Sequence, residues 1–599
     1  MGLDYVMFHF TYTFPLASIL TVLYCPFFTW QDIHRISILV LIAVFATIPW
    51  DSYLIRNGIW SYPSEAVVGY TFFSIPLEEL FFFVIQTYLT SLLYCILRRP
   101  LVLPIYLRPT SDARKTRYIG QAMLVALLAT GIACCFFAGK LTYVGLILIW
   151  VCPVLILQWS LSCTFMIALP WKVTVLPVCL PTLYLWVADA NAIRAGTWAI
   201  GQATKLDYQL WAGLEVEEAL FFLVTNLMVV GGLASIDYGF AIEEYRVLTS
   251  GEESPAIFSM RFALKSVVNF DSNVDARIID RLSKAVRCLQ KKSQSMFLGS
   301  ALFEGNLRID LIFLYSFCRV MDDLVDDSDT FEEPGARYWI TRCSRALDAK
   351  FDNRAKETKN EDSTNSFIGK GLDNLQSSLD FLPVSRLPKQ PLFALLEGFK
   401  TDLEFDAKMN EFPIHTVADL DIYASRVAST VAVLVLNLVY HHYYRNKPVN
   451  PPDHLANLEK AGAEMGKALQ CVNIARDIGR DAAIHRVYIP TTWLTEVELT
   501  HSEVIRCPTS PKVYMMQQRM LDLANVYYTN SRAAIEELPD GVREPIRATV
   551  ESYMEIGRVL RQMKGNTLGV KKLRLPLWRR LAVAWFAMHT SNARNNWII

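Results

Sequence analysis

Long apolar stretches dominate the first 240 residues, and amphipathic, charge-rich stretches make up the rest of the 599-residue chain. A helix needs roughly 20 mostly apolar residues to cross a bilayer. Seven stretches meet this requirement, at about residues 3–24, 33–50, 76–97, 119–138, 141–162, 171–188 and 212–233. A buried helix of a soluble core could explain one of them, but not seven so close together. We therefore predict an all-α fold that begins with a seven-span transmembrane domain over residues 1–240.

The charged residues divide the chain in the same way. Residues 1–240 carry 25 of the 116 Lys, Arg, Asp and Glu residues, and the other 359 residues carry 91. The polar segment 241–262 is the expected linker, and residues 263–599 are the expected second, helical domain. The net charge is zero, which gives no reason to expect nucleic acid as a partner. The sequence contains no CxxC and no HExxH, so no zinc site is predicted.

The membrane domain contains an internal repeat. The pattern D-x4-R-x-G-x-W begins at Asp51 and again at Asp189, a shift of 138. Each copy is followed by a glutamate pair that leads into phenylalanines, PLEELFFF at residues 76–83 and EVEEALFF at residues 215–222, a shift of 139. Spans one to three thus correspond to spans five to seven. Because a single span joins the two units, both cross in the same sense, and we predict parallel repeats related by an axis along the membrane normal.

The basic residues between the spans predict the orientation. Their densest segment follows span three and contains Arg98, Arg99, Arg108, Arg114, Lys115 and Arg117. The positive-inside rule places this segment, and all residues after span seven, in the cytosol. We expect a multi-pass protein of the endoplasmic reticulum or another endomembrane, with the lipid bilayer as a partner. The glutamate pairs would then lie toward the non-cytosolic ends of spans three and seven.

The candidate catalytic residues of the membrane domain are Glu78, Glu79, Glu217 and Glu218. Carboxyl groups in a bilayer are costly and face a cavity or one another. When two share a site, one tends to stay protonated, which is the state that a general acid needs. Two alternatives remain: the pairs could bind Arg56 and Arg194 structurally, or they could carry protons or ions, as in a transporter.

The repeated unit resembles the small membrane lycopene cyclases of bacteria and archaea over nearly all of residues 1–240. The resemblance implies that the ends of linear carotenes such as lycopene are closed into rings, beginning with protonation of a terminal double bond. It implies acid and base roles for the four glutamates. No flavin is expected, and the sequence has no GxGxxG. Glu215 stands where the first copy has Pro76, so the copies need not be equivalent.

Two acidic motifs in the second domain predict a metal site. DDLVDD at residues 322–327 places carboxylates four residues apart on one helix face, and NIARDIGRD at residues 473–481 forms an i, i+4, i+8 stripe. Like charges stacked in this way destabilise a helix unless a cation intervenes. Oxygen ligands suit Mg²⁺, with Mn²⁺ as an alternative, and the metal would hold a diphosphate. A single acidic face would indicate only a solvated surface. The predicted metal ligands are Asp322, Asp323, Asp326, Asn473, Asp477 and Asp481.

Together with RVYIP at residues 486–490, these motifs resemble the head-to-head prenyl synthases, and phytoene synthase most closely, from about residue 262 to 575. The resemblance implies an all-helical isoprenoid synthase fold around an apolar cavity. It implies that two geranylgeranyl diphosphates condense to phytoene by way of prephytoene diphosphate, a cyclopropyl intermediate. By the same resemblance, the diphosphate contacts would be Tyr315, Arg319 and Arg486, and the cavity residues would include Tyr423 and Gln470.

This sequence departs from the synthase pattern at three positions. Arg480 stands where the family usually has an acid, and Ser429 and Ala432 replace glycines of the cavity wall. Squalene-type synthases share the aspartates but use NADPH. The sequence has no nicotinamide-binding fingerprint, so no NADPH is expected, and a squalene-type synthase stays as the alternative.

The union of the two domains resembles the fungal bifunctional lycopene cyclase/phytoene synthases. Phytoene must be desaturated before it becomes lycopene. A carotene desaturase is therefore an expected partner, whether physical or only metabolic.

Overall fold

The computed structural model describes residues 2–108, 112–137, 139–250, 274–326, 335–352, 373–444, 453–563 and 573–589. The chain divides into two compact units, Met1–Asp280 and Arg281–Ile599. Helices build both units, and the strands of the described residues are pieces of two or three residues in the first unit. The predicted all-α class is confirmed.

Up to Ser250, the described residues of the first unit form nine helices, with a π-helical turn at His9–Thr13 and 3-10 turns at Cys25–Phe27 and Leu103–Tyr106. These helices are α1 (Asp4–Phe8), α2 (Phe14–Tyr24), α3 (Trp30–Arg56), α4 (Leu77–Arg98), α5 (Ala113–Phe136), α6 (Thr142–Ala168), α7 (Trp171–Thr174), α8 (Leu176–Ala195) and α9 (Val216–Ser250). They form seven stretches that are long and apolar enough to cross a membrane, as predicted. The last helix continues to Ser250, so the predicted linker 241–262 begins as helix, and its residues 251–262 lie outside the described residues.

In the described part of the first unit, six short strands precede or connect the spans of the two repeats. They are β1 (Trp60–Ser61), β2 (Thr71–Phe72), β3 (Ile75–Pro76), β4 (Ala199–Ile200), β5 (Gln209–Trp211) and β6 (Leu214–Glu215). Strands β2 and β3 form a hairpin that runs into α4, and β5 and β6 form the corresponding hairpin before α9. Each hairpin thereby places its glutamate pair in the first turn of the following helix, where the helix dipole favours acidic side chains.

Equivalent residues of the two repeats meet around a pseudo-twofold axis. Strands β1 and β4 pair antiparallel, with Ser61 opposite Ala199, its own equivalent under the 138-residue shift. Likewise, Gln86 Nε2 donates a hydrogen bond of 2.8 Å to Thr225 Oγ1, which is its equivalent under the 139-residue shift. Helices α4 and α9 therefore pack side by side and start at the same end, which confirms the parallel repeat.

A buried cluster of charges joins α3, α4 and α9. Arg35 binds Asp32 at 2.9 Å and Asp237 at 3.1 Å, and all three side chains are fully buried. Arg98 binds Asp237 at 2.8 Å. The basic segment after span three thus begins with an arginine whose charge is paired inside the protein.

Replacing Asp237 with Ala is expected to destabilise the first unit by about 3–5 kcal/mol, because it leaves the buried Arg35 without one of its carboxylates. Thermal unfolding of the detergent-solubilised full chain would measure the loss. Asp207→Ala is the matched control, since Asp207 forms an exposed pair with Lys140 at 2.7 Å. Equal unfolding temperatures for the two variants would contradict a stabilising role for the buried cluster.

The helix Ala276–Lys292 (α10) begins before the boundary between the units and ends after it. The other helices that the structure describes in the second unit are α11 (Gln294–Ser300), α12 (Gly305–Asp326), α13 (Ala336–Phe351), α14 (Asp373–Phe381), α15 (Lys389–Asp402), α16 (Val417–Ala424), α17 (Thr430–Tyr444), α18 (Asp453–Ala483), α19 (Thr491–Glu496), α20 (His501–Arg506), α21 (Pro511–Ser531), α22 (Arg543–Gln562) and α23 (Leu577–His589). A π-helical turn at Ser425–Ser429 joins α16 to α17, and 3-10 turns lie at Val384–Arg386 and Arg532–Glu537.

The two acidic motifs end helices whose apolar faces form the core of the second unit. On α12, Leu314, Phe317 and Met321 are fully buried, and the carboxylates follow at the carboxyl end of the helix. On α18, Gly466 allows a close approach, because an added Cβ would lie 2.7 Å from the Ser429 backbone. An eighth apolar stretch, Val417–Tyr444, is also long enough to cross a membrane, but its side chains belong to this same core.

Candidate active sites

The first glutamate of each pair holds the loop that precedes its helix. Glu78 Oε1 accepts a hydrogen bond of 2.7 Å from the backbone N–H of Val68. Glu217 Oε1 accepts the equivalent bond, 2.6 Å, from the N–H of Leu206. Val68 and Leu206 are related by the 138-residue shift of the repeat. Glu78 and Glu217 therefore have equivalent structural roles, because each accepts a hydrogen bond from the backbone of the loop before its helix.

The second glutamate of each pair accepts a hydrogen bond from a tyrosine of another span. Tyr5 donates to Glu79, and Tyr143 donates to Glu218 at 2.9 Å. Tyr5 and Tyr143 are again equivalent under the 138-residue shift, an equivalence that was not predicted from the sequence. All four side chains are buried. The repeat thus builds two equivalent tyrosine–glutamate pairs.

The tyrosine–glutamate pairs share one cluster of carboxyl groups. Glu79 interacts electrostatically with Glu218 and with Asp51, and Asp189 interacts with both glutamates. The aspartates are buried, with exposed fractions of 4% and 1%. Among the described residues, no Lys, Arg or His forms an ion pair with any of these four carboxyl groups. Four ionised carboxyl groups buried together without a cation would repel one another strongly.

The alternative pairing of the glutamates with Arg56 and Arg194 is not found in the part of the chain that the structure describes. Arg56 Nε instead donates to Ser74 Oγ at 3.3 Å, and Arg194 donates to the carbonyl oxygen of Ala212. Glu215, which replaces the proline of the first copy, binds Lys205 at 2.9 Å. The two repeats therefore differ at Glu215, where the first repeat has a proline, but both contain the tyrosine–glutamate pair.

Aromatic rings surround the carboxyl cluster. Trp198 Nε1 donates to Asp189 Oδ1 at 3.0 Å, and Trp60 Nε1 donates to the hydroxyl of Tyr143 at 2.8 Å. The ring of Tyr5 lies 4.9 Å from that of Trp198, between ring centroids. Such rings attract a cation through their π faces. The site therefore combines buried carboxyl groups with aromatic rings that can stabilise positive charge.

In the second unit, cationic side chains bind the first acidic motif. Arg319 contacts Asp322 at 2.7 Å and Asp323 at 2.5 Å, and Lys292 also binds Asp323. Burial first, and then repulsion from Asp326, raise the pKa of Asp322 to about 7. Repulsion of this kind is what a bound cation would relieve.

Asp326 brings the two acidic motifs together. It binds Arg486 at 2.7 Å and lies 3.7 Å from Arg480. It also interacts electrostatically with Asp322 on its own helix and with Asp481 on α18. The motifs are separated by about 155 residues in the sequence, and the structure places them at one site.

A cationic side chain also binds the second acidic motif. Arg476 binds Asp477 at 2.6 Å and also contacts Asn473, which accepts a hydrogen bond of 3.2 Å from the hydroxyl of Tyr553. Burial, followed by repulsion from Asp477 and Asp326, raises the pKa of Asp481 well above its usual range. Neither Arg476 nor Tyr553 is among the site residues predicted from the sequence.

A buried carboxyl group adjoins the acidic motifs. Asp402 Oδ1 accepts hydrogen bonds of 2.8 Å from the hydroxyls of both Tyr423 and Tyr488. Burial raises the pKa of Asp402 to about 6, although Arg486 opposes this shift. The predicted residues Tyr315 and Gln470 are half-buried on α12 and α18. The contact between Tyr423 and Asp402 was not predicted from the sequence, because the two residues lie on different helices.

The donor set is chemically suited to a hard divalent cation. It offers carboxylate and amide oxygens without His or Cys, and its carboxylates repel one another. In the described ranges, no three acidic, His or Cys side chains already form a metal-binding group. A cation that takes one or two carboxylates, with water and substrate oxygens, needs no such group.

Comparisons with known proteins identify the family of the whole chain. The family model described as squalene/phytoene synthase matches residues 289–579. A bifunctional lycopene cyclase/phytoene synthase of Arthroderma gypseum is 48% identical over 606 aligned residues, which cover 98% of this chain and 100% of the relative. This chain belongs to the bifunctional lycopene cyclase/phytoene synthase family. The family predicted from the sequence motifs is confirmed.

A second protein of the bifunctional family is similar to nearly the whole chain. The protein of the same name from Aspergillus oryzae is 45% identical, over 98% of this chain and 99% of its own length. A crystal structure of a dehydrosqualene synthase in complex with ligand is 18% identical and covers 52% of this chain and 96% of its own, with a TM-score of 0.40. Both units of this chain thus fall within the alignments to the bifunctional proteins.

Proposed function

We propose that the second unit joins two geranylgeranyl diphosphates head to head, through prephytoene diphosphate, to give phytoene. The observation that carries this proposal is the convergence of both acidic motifs at Asp326, with Arg486 and Arg480 beside it. The carboxylates would hold Mg²⁺, or Mn²⁺ in its place, and the bound metal would stabilise the departing diphosphate.

The chain's own residues would bind and orient the diphosphates. Arg319, Arg480 and Arg486 carry the positive charge, and Arg is suited to bidentate binding of phosphate oxygens. Tyr315 lies on the same helix as the first motif, and Gln470 lies on the same helix as the second. In this proposal the arginines release their carboxylates when the substrate and the metal arrive.

We further propose that the first unit closes rings on lycopene and related linear carotenes. The observation that carries this is the duplicated tyrosine–glutamate pair around one cluster of carboxyl groups. A protonated glutamate would protonate the terminal double bond, and a carboxylate would accept the proton that the ring loses. The lipid bilayer would supply the carotene, and a carotene desaturase would act between the two units' reactions.

Product analysis of the full chain in membranes tests both proposals. With geranylgeranyl diphosphate and Mg²⁺, we expect phytoene with or without NADPH, and no product after chelation of the metal. With lycopene, we expect ring-bearing carotenes. Squalene-type products formed only with NADPH would contradict the phytoene assignment. Proton or ion flux without ring formation would instead favour a transporter.

A further inference from the structure

Helix α23, the last helix that the structure describes, packs on the second unit through small residues and an ion pair. Its residues Ala584 and Ala587 are buried, and they pack with Ala548 of α22. Arg579 of α23 binds Glu555 of α22 at 2.7 Å. The inner face of α23 is therefore fixed by close packing and by a charged contact.

The outer face of α23 is apolar and exposed. A surface helix of a soluble protein normally turns its bulky apolar side chains toward the core. Here the exposed fractions of four such side chains are 51% for Leu577, 70% for Trp578, 51% for Leu581 and 41% for Phe586. At about 3.6 residues per turn, these positions share one side of the helix. A contiguous exposed apolar patch is typical of an interaction surface.

The charge and the aromatic content of this part of the chain indicate the kind of partner. Residues 565–599 contain six Lys and Arg residues and no Asp or Glu. Arg574, which lies just before α23, is exposed. Anionic lipid headgroups attract basic residues, and Trp side chains favour the interface between headgroups and acyl chains. A helix with an apolar face and a basic border therefore fits the surface of an anionic bilayer.

We propose that α23 binds the surface of a bilayer that contains anionic lipids, with Leu577, Trp578 and Leu581 inserted at the level of the headgroups. A helix of this kind lies parallel to the membrane plane. Because seven spans would hold the chain at a membrane, this second contact is intramolecular and needs little affinity of its own. The inference rests on the first unit spanning a bilayer and on neither of the two proposed reactions.

The test uses the full chain in lipid nanodiscs, with the photoreactive residue p-benzoylphenylalanine in place of Leu581. The matched position is Val526 on α21, which is 54% exposed but lies outside α23. After irradiation, mass spectrometry measures the lipid attached at each position. In phosphatidylcholine nanodiscs with about one-third phosphatidylserine, we expect about tenfold more lipid adduct at position 581 than at position 526, because only α23 enters the lipid. Phosphatidylcholine alone should lower the adduct at position 581 by about twofold or more, because the attraction of the basic residues is lost.

A charge placed on the apolar face should weaken the contact. Trp578→Glu is expected to lower the lipid adduct at position 581 by about fivefold, because a carboxylate is costly to insert and is repelled by anionic headgroups. Met515→Glu is the matched control, since Met515 is 56% exposed on α21, and it should leave the adduct unchanged.

The other results overturn the proposal. Equal lipid adducts at positions 581 and 526 would mean that α23 has no special contact with lipid. Attachment of position 581 to protein instead of lipid would mean that a second copy or another part of the chain covers this face. An adduct that does not depend on phosphatidylserine refutes the preference for anionic lipid. If the chain with the photoreactive residue at position 581 does not fold, the same measurement at Leu577 decides. A chain that does not stay in the nanodisc refutes the transmembrane assignment of the first unit, and this proposal with it.

Discussion

Replacing Glu79 or Glu218 with Gln is expected to abolish ring formation, with a loss of about 100-fold or more, because a general acid or base contributes on this scale. Each glutamate accepts a hydrogen bond from a buried tyrosine, and each faces the shared cluster. Gln keeps the shape of the side chain but cannot release or accept the proton. The ring-bearing carotenes made from lycopene would be measured by chromatography. Phytoene formation by the same chain should persist.

The neighbouring glutamates provide matched controls. Glu78→Gln and Glu217→Gln remove a carboxylate that accepts a backbone N–H, which the amide oxygen of Gln can still accept. We expect these variants to lose less ring formation than Glu79→Gln and Glu218→Gln. If the order were reversed, the assignment of the proton donors to the second glutamate of each pair would be wrong. If either single variant kept half of the rings, two independent sites would replace the one shared cluster.

The internal repeat could be predicted because equivalent residues of its two copies are separated by a nearly constant number of residues. Apolar length predicted the spans, and the shift of 138 to 139 residues predicted parallel packing, which the contact of Gln86 with Thr225 confirms. The same shift relates Tyr5 to Tyr143, but single tyrosines in apolar helices carry no pattern that separates a hydrogen-bond donor from ordinary packing. Helix ends were also less predictable, since α9 continues as a helix into polar sequence up to Ser250.

The acidic motifs were predictable for a different reason. Carboxylates repeated every four residues share a helix face, so the sequence identifies them without knowledge of the fold. Several of their partners come from other helices: Lys292 lies on α10, Tyr553 on α22, and Asp402 at the end of α15. Such contacts depend on how helices pack, which periodicity does not determine. The sequence therefore predicted the candidate metal ligands, whereas these partners on other helices required the structure.

Asp326→Asn is expected to reduce phytoene formation by about 10- to 100-fold, which is the scale of losing a group that supports a metal site. Asp326 differs from Asp322 and Asp323, because it interacts with residues of both acidic motifs. Its loss would remove a carboxylate from the shared site and leave Arg486 without its 2.7 Å partner. Phytoene would be quantified from geranylgeranyl diphosphate over a range of Mg²⁺ concentrations, and ring formation from lycopene should be unaffected.

The Mg²⁺ dependence separates a metal-binding role from a purely structural one. If Asp326 helps to hold the metal, Asp326→Asn should need more Mg²⁺ for half-maximal activity, and Asp326→Glu should recover part of the lost activity. Asp348→Asn is the matched control, because Asp348 forms an exposed ion pair with Lys389 at 2.6 Å outside the two motifs, and it should keep both activity and Mg²⁺ dependence. A lower rate with an unchanged Mg²⁺ requirement would mean that Asp326 orients Arg486. Full activity of Asp326→Asn would contradict the proposed metal site, because the two motifs would then act without the residue at which they meet.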